Sequence, residues 1–318
     1  MTTAHIPILV APIVEALLEP LKKLPADSDP HYLVDCTLGG GGHTQALLSA
    51  MAADPALKKH RVLAIDQDLK VLEKAKMRFA EDLREGRLEL FHGRFGEAQD
   101  ILSEKPILGL MADLGFSSDQ LEDASRGLSF QWDGPLDMRL DPTRGQSVRE
   151  LLRKINEWDL EKILIEYGEE RFAKRIAASI IKHRLDKNPI DTTHQLRDII
   201  YFAVPPPARH QKIHAATRSF QALRIAINDE LKELESLLSH VILSVKPGGR
   251  VAILSFHSLE DRRVKQTFKD KDSIFKPLTK KPIEADEAEI KLNPRSRSAK
   301  LRIAERVARG IQDEAKEF

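Results

Sequence analysis

Val34-Asp35-Cys36-Thr37-Leu38-Gly39-Gly40-Gly41-Gly42-His43 decides the fold of this chain. An apolar run, Tyr32-Leu33-Val34, ends in an acid, and four consecutive glycines then lead into a helical pattern. The stretch reads as a strand, a backbone-only turn and a helix start. Glycine serves where the chain takes positive φ, or where a ligand must touch backbone with no Cβ in the way. The N–H groups that open the helix face whatever lies in the crevice. A nucleotide-like cofactor is therefore expected, and the turn alone leaves its identity open. A dinucleotide requires G-x-G-x-x-G/A on a βαβ unit. Counted from Gly39 the third glycine position falls on Thr44, and from Gly40 on Gln45. The rival tenant is S-adenosylmethionine, whose ammonium group suits Asp35 better than a pyrophosphate would.

Working outward, strands are expected at Arg61–Ile65 ending in Asp66, at Leu88–Phe91 ending near Phe95, and at Ile107–Ala112 ending in Asp113. Helical patterns separate them: Thr44 to about Met51, and a run through Leu72, Ala75 and Phe79. Such alternation implies a parallel sheet with helices on its faces. Ligands bind outside the carboxyl ends of such strands, where Asp35, Asp66, Phe95 and Asp113 all fall. From about Ser125 to Pro207 the alternation stops and helical patterns take over, with Phe172, Ile176 and Ile180 on one face and N-cap residues at Ser147 and Thr192/Thr193. The expected domains are 1–123, an inserted helical domain 124–215, and 216–318. The sheet pattern resumes with one long helix carrying Leu223, Ile227, Leu231, Leu234 and Leu238 on one face. Lys246-Pro-Gly-Gly249 then turns into the strand Val251–Phe256, an order recurrent in methyltransferase folds, and Lys300–Ala304 reads as a final strand.

Charged residues are 31% of the 318, yet the formal net charge is +1, so no global basic field advertises nucleic acid and any such contact must use local patches. No leader or membrane span is expected, and the single cysteine excludes an intrachain disulfide; the chain reads as cytoplasmic. Cys36, directly behind the strand, is read as packing. That sets aside pyrimidine C5 chemistry, which uses a cysteine nucleophile, and favours an amine or hydroxyl target.

The stretches Asp35–His43, Ala64-Ile-Asp-Gln-Asp68, Asp113-Leu-Gly-Phe-Ser-Ser118 with Gln120-Leu121, and Arg126-Gly-Leu-Ser-Phe130 resemble the RsmH (MraW) rRNA cytosine-N4 methyltransferase family. The resemblance continues through Asp133–Arg139, Tyr167–Phe172, Ala216–Arg224, Ser255–Asp261 and Asn293–Ser298, and covers His5 to about Arg306. Ala11, Pro12 and Ala215 depart from the family at positions flanking the motifs. The resemblance implies an α/β fold, the class I S-adenosylmethionine-dependent methyltransferase (Rossmann-like) sheet with an inserted all-helical domain. It implies methyl transfer from S-adenosylmethionine, without a metal, to N4 of a specific cytidine of 16S rRNA near the P site. The partner implied is the assembled 30S subunit; the oligomeric state stays open, a homodimer included.

Carried over by position, cofactor contacts fall on Gly41, Gly42, His43, Asp66, Phe95, Asp113 and Gln120. Asp66 offers two oxygens to a ribose diol, Phe95 an aromatic face to adenine, and Gly41 and Gly42 close backbone approach to the methionine moiety. Asp113 is also the candidate catalytic acceptor, since it leads the loop where other amino-methyltransferases carry Asp/Asn-Pro-Pro-aromatic, although the prolines are absent. Asp137 and His257 are weaker candidates for contact with the base, and Phe116, Phe130 and Trp132 for stacking on it. RNA contacts are expected from Arg295, Arg297, Lys300 and Arg302 in the basic segment 291–309, and from Arg209, Lys212 and Arg218 at the exit of the insertion. The spacing His210-x-x-x-His214 invites a metal reading, but neighbouring Cys or carboxylate ligands are missing. Other readings are an amino-methyltransferase of DNA, other RNA or protein, and a cofactor-binding 30S assembly factor.

Overall fold

The computed structural model describes residues 7–116, 118–186, 188–209, 213–270 and 272–308. They fall into two compact units, one within 1–115 and 231–318, the other within 116–230. The chain opens with helix α1 (Val10–Lys22), which buries Ile13, Leu17, Leu18 and Leu21. Strand β1 (Tyr32–Asp35) is buried along its whole length and passes through the glycine turn into α2 (Gly42–Ala53). Strand β2 (Arg61–Asp66) follows, then α3 (Leu69–Arg78) and α4 (Ala80–Arg84), with the fully buried Phe79 between them. Strand β3 (Leu88–His92), the 3-10 turn Phe95–Glu97, α5 (Gln99–Ser103) and β4 (Ile107–Asp113) complete the alternation.

The second unit is helical: α6 (Ser118–Glu122), α7 (Val148–Lys154), α8 (Glu157–Gly168), α9 (Ala173–Leu185), α10 (Thr193–Ala203), α11 (Pro206–Arg209) and α12 (Thr217–Asn228). Ser147 and Thr192 head α7 and α10 with reciprocal capping boxes to Glu150 and Gln195, which satisfy N–H groups that no helix supplies for itself. Leu152, Leu160, Leu164, Ile176, Ile180, Leu196, Ile200 and Leu223 share one core. The unit is wider at both ends than the 124–215 read from sequence. Phe116 and Leu121 pack on this core, and α12 lends it Phe220, Ala222 and Leu223.

The chain then returns through α13 (Glu230–Ser239). One continuous helix was expected here. Asp229 instead takes the left-handed conformation, φ 53°, and breaks the run. Strand β5 (Val245–Ser255), α14 (Ser258–Lys269), β6 (Phe275–Pro277), α15 (Glu287–Leu292) and β7 (Lys300–Arg306) finish the first unit. The Lys246–Gly249 turn lies inside the span of β5 as a bulge: Ile107 pairs with Val245 and Gly109 next with Arg250. The seven strands run β3-β2-β1-β4-β5-β7-β6. The first five are parallel, while β7 is antiparallel to β5 and β6. This is a class I methyltransferase sheet, with the order reversing between β1 and β4. One apolar cluster on each face covers it: Leu17, Leu33, Leu47 and Ala64 in one, Val34, Ile65, Leu110 and Ile253 in the other.

Gly41 is the left-handed residue that starts α2, φ 73°, and a Cβ there would stand 2.8 Å from Phe79 Cε2. Gly41→Ala should therefore cost roughly 1–3 kcal/mol through backbone strain and contact with the Phe79 ring. A urea titration against the parent protein measures it.

Candidate active site

The site is built at the carboxyl edge of the sheet. Asp35 ends β1 with no exposed surface. Its Oδ1 accepts from Thr37 N (3.1 Å) and its Oδ2 from the Thr44 hydroxyl (2.7 Å). Burial drives its pKa up, opposed by His43 and these hydrogen bonds. The acid that the sequence offered to an ammonium group thus spends its oxygens on the turn itself. Behind it, Cys36 is buried with its thiol pKa pushed up, chiefly by burial, as a packing residue would be.

Asp66 ends β2 in a similar way. Its Oδ2 accepts from Gly39 N (2.9 Å) and its Oδ1 from Asp68 N (2.8 Å). On β4, Asp113 N donates to Thr37 Oγ1 (2.7 Å), and Oδ1 accepts from Gly115 N (2.9 Å). Asp113 Oδ2 lies 3.8 Å from His43 Nδ1. His43 is buried, and its Nε2 lies 2.9 Å from the carbonyl oxygen of Ile8. A carbonyl only accepts, so Nε2 carries the hydrogen. Phe95 is half-buried at the start of its 3-10 turn and packs on the second apolar cluster. Asp66 pairs with His92 across β2 and β3, which puts the candidate diol and adenine residues at neighbouring strand ends.

A Cβ on Gly42 would sit 2.7 Å from Pro7 Cγ, and one on Gly41 would meet Phe79. Both faces are filled by protein, so the missing Cβ atoms admit Pro7 and Phe79 to the turn. Thr37, Thr44 and Pro7 escaped the sequence reading. The first two stand two and nine residues after Asp35, and the Asp-x-Thr spacing is the signal that was available, since Asp carboxylates bond N–H groups two residues on.

The second unit contains Gln120, half-buried on α6. Asp137 is gripped by Arg139, Nε to Oδ1 2.7 Å and Nη2 to Oδ2 2.8 Å, which holds its pKa below the usual range against the opposing effect of burial. In the first unit, His257 caps α14 in a reciprocal box with Glu260. Phe116 lies under Arg224 (4.1 Å) and Phe130 against Phe220 (4.8 Å), while Trp132 is 57% exposed.

Several cations read as RNA contacts serve the fold. Arg302 is buried and paired with Asp261 of α14, at 2.7 and 3.1 Å, so it is withdrawn from the RNA candidates. Lys300 approaches the same carboxylate at 3.9 Å. Arg209 donates to the Val204 and Phe202 carbonyls (2.8 and 3.1 Å) and lies over Tyr201, closing the end of α10. Arg218 reaches Glu169 O at 3.3 Å. Arg295 is half-buried and Arg297 exposed. Lys212, His210 and Arg309 lie outside the described residues, and His214 Nδ1 accepts from Ala216 N. Among the described residues no helix is long and apolar enough to cross a membrane.

The MraW methylase family model matches residues 2–307. This chain belongs to that family. The "Ribosomal RNA small subunit methyltransferase H" of Geotalea uraniireducens (strain Rf4) is 42% identical, over 95% of this chain and 98% of its own length. The protein of the same name from Nostoc punctiforme is 44% identical, over 96% and 94%. A solved rRNA methylase from Streptococcus thermophilus is 12% identical with a TM-score of 0.38, covering 93% of this chain and 92% of that one. The chain is a methyltransferase, and S-adenosylmethionine is its methyl donor.

Removing Arg302 leaves the largely buried Asp261 carboxylate with only the 3.9 Å approach of Lys300. Arg302→Met should cost about 3 kcal/mol, and most of that should return in Arg302→Met with Asp261→Leu. Thermal unfolding of the three proteins checks this.

Proposed function

We propose that the enzyme methylates N4 of one cytidine of 16S rRNA, near the P site of a largely assembled 30S subunit in the cytoplasm, and so tunes decoding. Membership of the MraW methylase family supports an rRNA substrate, as do relatives named for the small ribosomal subunit. The observation that carries the chemistry is the carboxylate at the tip of β4. Asp113 has one oxygen tied to Gly115 N, and among the described residues no hydrogen bond reaches the other.

The residues at the sheet edge fit the methyl donor. Asp66 would take the ribose diol, Phe95 the adenine face, and the turn from Gly41 to His43 the methionine end; the resemblance adds Gln120. Bound there, the cofactor supplies a methyl group activated by its sulfonium. Cytidine N4 is a poor nucleophile because its lone pair is delocalised into the ring. Asp113 Oδ2 accepts a hydrogen of that amine, which localises the lone pair and stabilises the charge that appears on nitrogen as the new bond forms. The buried Thr37–Asp35–Thr44 network keeps Asp113 in register, since Thr37 Oγ1 receives the Asp113 N–H. Holding the amine in line supplies the larger share, up to roughly 7–11 kcal/mol of barrier. Arg297, with Arg295 and Lys300, remains the basic surface for phosphate contact in the first unit.

Asp113→Asn should lower kcat on 30S subunits by roughly 10²–10⁴-fold and change the KM for S-adenosylmethionine little. A rise in that KM at constant kcat would assign Asp113 to the cofactor alone. Labelled methyl transfer to 30S subunits, naked 16S rRNA and duplex DNA tests the substrate. Label is expected on one cytidine N4 of the 30S subunit, as read by mass spectrometry; label on DNA alone would falsify the proposal.

A further inference from the structure

The loop between β3 and α5 holds one short 3-10 turn, Phe95–Glu97, and three side-chain bonds fasten that turn to helix α13. Glu233 of α13 accepts from Gly96 N at Oε2 (3.2 Å) and from Arg94 Nη1 at Oε1 (3.4 Å). Ser236, one turn further along α13, donates from Oγ to Gly96 O (2.6 Å). Both backbone groups of Gly96 are therefore bound to α13, and the side chain of Arg94 is bound to the same carboxylate. Phe95 is the residue between these two anchors. The fit is close: a Cβ on Gly96 would stand 2.6 Å from Glu233 Oε2 and 3.1 Å from Glu233 O. The side chains of Arg94 and Glu233 are 19% and 17% exposed, so the pair is largely out of water. Burial also raises the pKa of Glu233, with Arg94 opposing it.

We propose that Glu233 and Ser236 are positioning residues for the methyl donor, fixing the loop that presents Phe95 to the adenine ring. The proposal rests on the reading that Phe95 lies against adenine. A free Gly96 peptide would let the phenyl face sample several orientations, and each costs affinity by the fraction of time spent away from the binding-competent one. The two side chains remove that freedom without touching the ligand. Neither lies in a motif that the sequence marked for the cofactor, because α13 is some 140 residues away along the chain.

The test is a double-mutant cycle on the full-length protein, with S-adenosylhomocysteine as the calorimetric probe. Glu233→Ala should weaken binding about tenfold and Ser236→Ala about threefold. Glu233→Gln keeps an oxygen for Gly96 N–H and should recover most of the loss. On a Phe95→Ala background, Glu233→Ala should cost nothing further, because its effect passes through the ring. In turnover on 30S subunits, Glu233→Ala should raise the KM for S-adenosylmethionine and leave kcat unchanged. An equal loss in both backgrounds would assign Glu233 to general stability and overturn the proposal. So would wild-type affinity in both alanine variants while Phe95→Ala binds weakly. Wild-type binding by Phe95→Ala would instead remove the adenine reading on which the proposal rests. Circular dichroism melts of each variant separate loss of fold from loss of positioning.

Discussion

The proposed donor site depends on one buried carboxylate. Asp35 has no exposed surface, and leaving an ionised group in that position without partners costs several kcal/mol. Its partners are Thr37 N and the Thr44 hydroxyl, one on each side of the four glycines. The acid therefore ties together the end of a strand and the first turn of a helix, and the backbone between them has little freedom left. Thr37 extends the tie to β4 by accepting from Asp113 N, and Asp66 adds a bond to Gly39 N from the other neighbouring strand. Three adjacent parallel strands are thus linked at their carboxyl ends through polar contacts. The sheet edge is held by the same bonds that make burial of the acid tolerable.

The strand ends were legible because a parallel strand buried on both faces is a short apolar run, and three of these runs, β1, β2 and β4, stop at an acid. Asp35, Asp66 and Asp113 could be placed from that alone, as could the capped starts of α7 and α10. Helix α1 was not legible, since Pro12 and Pro20 disguise its stripe; Pro12 stands in the first turn, where proline is tolerated, and Pro20 inside the helix near its end. Nor was the break at Asp229. Apolar residues keep a helical period across 223–238, and a single residue with φ 53° interrupts the backbone without disturbing the pattern.

Charge was the least legible property. The basic segment near the end of the chain invited a single reading, but sequence proximity does not identify a side chain's partner. Arg302 answers to Asp261, 41 positions earlier, and Arg306 to the carbonyls of Leu243 and Val245. Arg209 satisfies carbonyls that α10 leaves open at its own end. A helix terminus and a buried acid compete with phosphate for the same guanidinium, and such local claims are visible only in three dimensions.

The second unit is entered at Phe116, directly after the Asp113–Gly115 tip, and left at Glu230. Every donor-site candidate but Gln120 lies outside it. Residues 116–230 are therefore a separate unit inserted between β4 and α13 of the sheet-bearing unit. Such a unit can diverge in sequence while the sheet that carries Asp35, Asp66 and Asp113 stays as it is, and both insertion points adjoin residues of the sheet-bearing unit: Asp113 at the entrance, Glu233 at the exit.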